Sequence, residues 1–278
     1  MSHFAIWRAA KTYISGITRR TYRIGHHAKN GRLLSTKMDV DTTSYDKSQV
    51  DQLEDRCIIV DKEDRIIGST SKKDCHIAAN RSEGDLKSAG GQLHRAFSVF
   101  LFNSKNELLL QKRSKLKITY PGCYTNTCCS HPRATNIEMN DHEHIGVKIA
   151  AQRRMQFELG IPATQVPIED IHSLTRIHYS ATAGDIWAEN EVDHVLLIKK
   201  DVDICVNEDE VEDVKFLSTE GLDEFLKTIG PAGHSITPWF KFICETFLPG
   251  WWNEIKAGTS FKELKDDKIW YAGTIKWH

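Results

Sequence analysis

Phe97-Ser98-Val99-Phe100-Leu101-Phe102 and Leu108-Leu109-Leu110-Gln111 stand on either side of four turn-forming residues, Asn103 to Asn106. Runs this continuously apolar are predicted to form a hairpin in a buried sheet. Two shorter strands are expected at Cys57 to Asp61 and Arg65 to Gly68, joined by a charged turn. Further strands are expected at 171 to 181 and at 191 to 199, the second rich in Val, Leu and Ile. Residues 143 to 159 instead follow a helical period, with Ile145, Ile149, Met155 and Leu159 among the apolar positions. Gly160 caps that helix and Pro162 stops it. A last helical region is predicted from Thr237-Pro238, with an apolar face through Phe240, Ile243 and Phe247. The predicted fold class is α/β of the α+β kind: a mixed sheet flanked by helices, in one catalytic domain over residues 53 to 272.

With 278 residues and 40% apolar content, the chain can bury one good core. Its 37 basic and 38 acidic residues leave no broad basic footprint, so a nucleic-acid partner is not expected. An anionic ligand must meet a local basic cluster, which favours a small anion. Seven cysteines without framework spacing point to a reducing compartment. No apolar stretch approaches the roughly 18 to 20 residues of a transmembrane helix, so a soluble protein is expected. Residues 1 to 38 carry eight Lys and Arg and no acid before Asp39. This composition suits a mitochondrial presequence, the alternative being a basic tail on a cytoplasmic protein. The Ile275 to His278 end does not match the peroxisomal signal. Residues 39 to 52 are expected to be a polar linker and 273 to 278 a tail.

Chemistry concentrates in Thr125-Asn126-Thr127-Cys128-Cys129-Ser130-His131-Pro132, which sets a thiol two residues from an imidazole. The pair can be a nucleophile with its base, a redox couple, a metal site, or an acid/base centre beside a metal. The cysteine spacing does not suit a redox Cys-x-x-Cys, and a vicinal disulfide would be strained. If the segment is extended, one cysteine faces a pocket and its neighbour faces away. A buried inert cysteine is the plainer alternative. His76, His94 and His131 share no short metal-binding spacing, and each taken singly is an ordinary surface or core histidine. Glu189 and Glu191, two apart on a predicted strand, project from one face and can bring two carboxylates to one cation. Taken without other motifs, they read more simply as a solvated acidic strand end beside a turn. Lys72, Arg113 and Lys117 lie in basic stretches that are either a solvated face or a site for phosphate oxygens.

The end of the central helix, Phe157-Glu158-Leu159-Gly160-Ile161, echoes the close of a Nudix box. Most of the box carboxylates are missing: Arg153 and Arg154 stand where an Arg-Glu pair is usual, and Phe157 replaces a glutamate. Diphosphate hydrolysis, which needs clustered carboxylates on its metals, is therefore disfavoured while a Nudix-like fold is kept.

Taken in order along residues 50 to 272, these motifs resemble the type I isopentenyl-diphosphate isomerases of eukaryotes. The resemblance implies a Nudix-like mixed sheet sandwiched by helices and reversible conversion of isopentenyl to dimethylallyl diphosphate. By the same resemblance Cys129, Glu191 and Tyr179 are catalytic, with Glu191 and Tyr179 protonating and Cys129 removing a proton in the forward direction. Lys72, Arg113, Lys117 and Ser130 would bind the diphosphate, and Trp239 would face the carbocation. His76, His94, His131, Glu189 and Glu191 would hold a divalent ion such as Zn2+ or Mn2+, and Glu158 a Mg2+ that bridges to the diphosphate. No flavin signature is visible, and a monomer is expected. The alternatives in other classes are a Nudix-type organic diphosphate hydrolase and a non-enzymatic metal-binding scaffold. The insertion Ala78 to Gln92 separates the first two metal histidines and is expected to shape the pocket mouth.

Overall fold

The computed structural model describes residues 40–81, 88–233 and 235–276. The basic segment 1 to 38 and the middle of the Ala78 to Gln92 insertion lie outside the described residues. Helix α1 (Lys47–Asp51) precedes the hairpin of β1 (Arg56–Val60) and β2 (Ile66–Ser71), which runs into the short helix α2 (Lys72–His76). Then come β3 (His94–Phe102), β4 (Leu108–Arg113), β5 (Tyr124–Thr125) and β6 (Cys128–Ser130). Helix α3 (Ile145–Leu159) leads to the long pair β7 (His172–Ala183) and β8 (Trp187–Lys199), followed by β9 (Val211–Leu217). Helices α4 (Thr219–Thr228), α5 (Pro238–Thr246), α6 (Leu248–Ala257) and α7 (Phe261–Leu264) precede the edge strand β10 (Ile269–Thr274).

Sheet order is β10-β7-β8-β3-β1-β2, with β3/β8 and β7/β10 parallel and β7/β8 and β1/β2 antiparallel. The expected β3–β4 hairpin is joined only at Phe102 and Leu108. Beyond that pair the strands part, because β4 pairs along its length with β9. Along β3, β6 pairs instead, setting Phe97 opposite Ser130 and Ser98 opposite Cys129. The splayed hairpin thus makes room for the cysteine strand.

Strand alternation gives the sheet two apolar faces. Phe100, Phe102, Val195 and Leu197 pack with Trp239, Phe240 and Trp252 of the C-terminal helices. Val99, Leu101, Leu196 and Ile198 pack on the other face against α3. The helix buries Val147, Ala151, Met155 and Leu159, a strict i, i+4 series, while Ile145 and Ile149 are only half-buried. Arg154 and Glu158 lie on its buried side too. At Gly160 the backbone turns left-handed (φ 65°), and a Cβ there would stand 2.2 Å from Cys205 O, so only glycine ends the helix this way.

Two boundaries differ from expectation. The segment 39 to 52 is not merely a linker: Asp46 caps α1 through Ser48 N, and the Gln49 side chain is buried. The tail begins later than 273, since β10 pairs with β7 through Thr274 and Ile275 N donates to Ser180 O.

Candidate active site

Register, rather than sequence proximity, assembles the site. Parallel pairing of β3 with β8 sets His94 beside Glu191, and antiparallel pairing of β7 with β8 sets Tyr179 beside the same glutamate. Period-two alternation on β8 puts Glu189, Glu191 and Asp193 on the face that Val195 and Leu197 turn toward Trp239. Alternation on β6 separates the two cysteines. Cys128 is fully buried toward α3, while Cys129 packs against the tryptophan side and lines the cleft.

His76 ends α2 and His94 starts β3, and Gly90 and Gly91, on the way into β3, pass very close to Ala78 and to Cys75 of the helix. At Gly90 (φ 132°) a Cβ would lie 2.5 Å from Ala78 O. Free of that side chain, the loop brings the His76 and His94 rings to 4.7 Å, and His131 stands 4.8 Å from each. His76 Nδ1 pairs with Lys72 O at 2.8 Å and His94 Nδ1 with Gln92 O at 2.7 Å. A ring nitrogen next to a carbonyl carries a proton, so the neutral ring, which is the form that ligates a metal, presents its Nε2 lone pair inward. His76 Nε2, His94 Nε2 and Glu189 Oε2 are buried without a hydrogen-bond partner. With His131 and Glu191 they form a group whose ligand atoms all lie within 4.8 Å of one another. Orphaned atoms on two imidazoles and one carboxylate, with a third imidazole and a second carboxylate within reach, are what a divalent ion requires, so the residues fit a metal.

Glu191 is the meeting point. Its Oε2 accepts from Tyr179 Oη at 2.5 Å, and its Oε1 lies 2.8 Å from His131 Nε2 and 3.5 Å from His94 Nε2. Burial alone would raise the carboxyl, but the facing His94 imidazole and then the Tyr179 phenol outweigh it and hold Glu191 below its ordinary value. Burial, then the Glu191 charge, pushes the Tyr179 phenol far up, so it stays a donor. Burial also moves the Cys129 thiol up to about 12, opposed by the Arg113 guanidinium, whose NH1 is 3.8 Å from the sulfur. For His131, burial and then the neighbouring imidazoles push the ring well below the usual value, which keeps it neutral.

A cleft of about 440 Å3 joins these groups to the basic residues Lys72, Arg113 and Lys117. Arg113 is fixed by donating to Tyr120 O at 3.1 Å and Thr119 O at 2.8 Å. Lys117 Nζ pairs with Glu210 at 2.6 Å, yet burial and then the surrounding cations, against the pull of Glu210, lower it to about 8. Crowded cations with one acid among them make a site waiting for negative charge. Trp239 closes the other end, its Nε1 donating to Asn126 Oδ1 at 3.1 Å and its ring stacked 6.2 Å from Tyr179.

Of the sequence-predicted residues, Cys129, Glu191, Tyr179, Lys72, Arg113, Lys117, Ser130, Trp239, His76, His131 and Glu189 all line this cleft. His94 completes the metal-type cluster from behind. Glu158 stands apart from the cluster, accepting from Arg154 and, through its other oxygen, from Gln111 at 3.1 Å. Arg154 and Asp193 were not foreseen. Arg154 lines the cleft, and its spacing of four from Glu158 on a helix was a usable signal. Asp193, two residues beyond Glu191, follows from the same alternation; it accepts from Ser98 Oγ at 2.8 Å, and burial then Glu191 drive its carboxyl well up.

Residues 92–240 match the NUDIX domain family. Over 220 residues the chain is 48% identical to isopentenyl-diphosphate Delta-isomerase 1 of Bos taurus, covering 78% of this chain and 92% of the relative. The chain belongs to the isopentenyl-diphosphate Delta-isomerase family. A fungal member, from Gibberella zeae, is 44% identical over 239 residues, with 83% of this chain and 90% of the relative covered. Among solved structures, one from Deinococcus radiodurans aligns with 15% identity and a TM-score of 0.45, covering 69% of this chain and 99% of that one. Within this isomerase family the sheet-and-helix frame is the Nudix fold, and the hydrolase alternative is not favoured. Glu158 is the box carboxylate that remains at the end of α3, and it is ion-paired with Arg154, while Phe157 is 46% exposed. No helix among the described residues is long and apolar enough to cross a membrane.

Proposed function

We propose that the cleft interconverts isopentenyl and dimethylallyl diphosphate, with Glu191 and Cys129 as the two proton-transfer groups. The observation that carries this reading is the shared cleft, lined by a carboxylate held by a buried phenol, a thiol beside an arginine, and an indole stacked on that phenol. An unactivated alkene is a very weak base, so a strong acid must act on one side and a base on the other. In the forward direction Glu191 acts in its protonated form, which its lowered carboxyl makes a stronger acid; with Tyr179 on its Oε2 it delivers a proton to the terminal alkene carbon. Positive charge then rests on the tertiary carbon, facing the Trp239 ring, which stabilises it by about 1 to 2 kcal/mol. Cys129 acts in its thiolate form, which burial disfavours and the Arg113 guanidinium favours; it takes the proton from the carbon on the diphosphate side and the double bond re-forms there. In the reverse direction the roles interchange. Exchange with water resets both groups, so solvent deuterium enters the product.

His76, His94, His131, Glu189 and Glu191 would hold one Zn2+ or Mn2+ ion, and Glu158 would hold a Mg2+ whose charge offsets that of the diphosphate. When bound, these ions draw charge from Glu191 and screen the diphosphate. Lys72, Arg113, Lys117 and Ser130 bind the diphosphate oxygens. On this reading residues 1 to 38 are a mitochondrial presequence and the enzyme is a monomer. Incubation with isopentenyl diphosphate and Mg2+ in deuterated water, followed by NMR, tests the activity. Dimethylallyl diphosphate carrying deuterium is the expected product. Release of phosphate without isomer would turn the reading to hydrolysis, and no reaction from folded, metal-loaded protein would sink it.

A further inference from the structure

Glu210 directly precedes β9 and is only 2% exposed, yet it does not line the cleft. Its Oε2 accepts from Lys117 Nζ at 2.6 Å and from Arg154 NH2 at 3.0 Å. Its Oε1 accepts from Gln49 Nε2 at 2.8 Å and Gln52 Nε2 at 2.7 Å. Gln52 Oε1 in turn accepts from Arg154 NH1 at 3.0 Å, and Glu210 O accepts from Ser114 N at 2.9 Å. Two cations on separate elements, the turn before β5 and helix α3, are therefore tied to one buried carboxylate. That carboxylate is itself braced by the segment around α1.

A buried charge persists only when paired and hydrogen-bonded, and a long cationic side chain pays rotamer entropy to hold one orientation. Lys117 and Arg154 face the cleft together with Lys72 and Arg113, so mutual repulsion would drive them apart without an anion between them. Glu158 pairs with Arg154 alone, along α3, and Glu210 is the carboxylate that Lys117 and Arg154 share, approaching them from outside the cleft lining. We propose that Glu210, braced by Gln49 and Gln52, is a positioning residue that fixes Lys117 and Arg154 in the orientation in which they receive the substrate diphosphate. The proposal rests on the isomerase reading for the identity of that anion. It also gives α1 and the turn after it, expected to be a linker, a part in the site.

Calorimetric binding of inorganic diphosphate, alongside steady-state kinetics with isopentenyl diphosphate, tests it in the full chain. Glu210→Gln keeps the shape and removes the charge. It is expected to weaken diphosphate binding about tenfold and raise KM by a similar factor, with kcat changed less than about twofold. Gln52→Leu, at a half-buried position that keeps the fold even if Glu210→Gln does not, is expected to weaken diphosphate binding about threefold. A kcat loss without a KM change would mark a merely structural role and overturn the proposal. So would diphosphate binding at the parent's strength in both variants. A parent that binds diphosphate but does not isomerise would sink the isomerase reading and leave the comparison of diphosphate affinities to decide this one.

Discussion

Tyr179 Oη donates to Glu191 Oε2 at 2.5 Å across the β7–β8 register pair, while the other carboxylate oxygen faces two imidazoles. The phenol therefore contacts the oxygen turned away from the metal-type cluster. Tyr179→Phe removes one hydrogen bond and little volume, so the fold should persist. Turnover of isopentenyl diphosphate is expected to fall about 10- to 100-fold, with diphosphate binding little changed. Kinetics together with calorimetry on the variant check this. Unchanged kcat would remove Tyr179 from the proton path.

Cys128 and Cys129 are adjacent in sequence and opposite in the fold, which separates their mutational consequences. Cys129→Ala is expected to lower kcat by at least about 100-fold and to leave thermal stability near that of the parent. Cys128 is fully buried beside Glu158 and the α3 core. Cys128→Ala is expected to cost about 1 kcal/mol of stability while retaining deuterium incorporation. Equal kinetic effects of the two substitutions would contradict the facing inferred from β6.

Most of the secondary structure was legible because its signals are local. The runs at 97 to 102 and 191 to 199, the cap at Gly160 and the Pro238 helix start each carry their meaning within a few residues. What could not be read was pairing. Nothing local says that β4 leaves β3 for β9, or that β6 takes the place beside β3, yet that exchange aims Cys129 at the cleft. The histidine cluster was illegible for the same reason: His76, His94 and His131 converge through the close pass at Gly90 and the β3–β8 register, and resemblance alone had joined them. Gln49 and Gln52 looked like linker residues because their partner Glu210 lies some 160 positions away.

Metal removal should destabilise the fold, since two buried imidazoles, a half-buried third and two buried carboxylates would be left crowded together without the ion that joins them. An ion at 100 times its dissociation constant contributes about 2.7 kcal/mol. For a domain of this size that corresponds to a drop of roughly 5 to 10 °C in Tm on chelation. Glu189→Gln should lower both the bound metal, read by elemental analysis, and the Tm difference between chelated and reloaded protein. A Tm indifferent to chelator would show that the cluster is self-sufficient.

A second charged network, away from the cleft, sets acid stability. Asp64, held in a left-handed turn (φ 66°), accepts from Arg95 Nε at 2.8 Å, Arg176 NH1 at 3.1 Å and His194 Nε2 at 2.8 Å. Burial would raise its carboxyl, but His194 and then Arg95 outweigh that and lower it from 3.8 to about 2. A folded-state value below the unfolded one means stability that is complete above about pH 4 and lost as pH falls toward 2, worth about 2 kcal/mol in all. Asp64→Asn tolerates the same backbone and removes the charge, so it should be less stable than the parent at pH 6 by roughly 3 kcal/mol. Between pH 4 and pH 2 that gap should narrow by about 2 kcal/mol as the parent protonates Asp64. Urea denaturation of both proteins at half-unit steps measures it, and a gap constant across that range would mean that other carboxylates govern the acid limb.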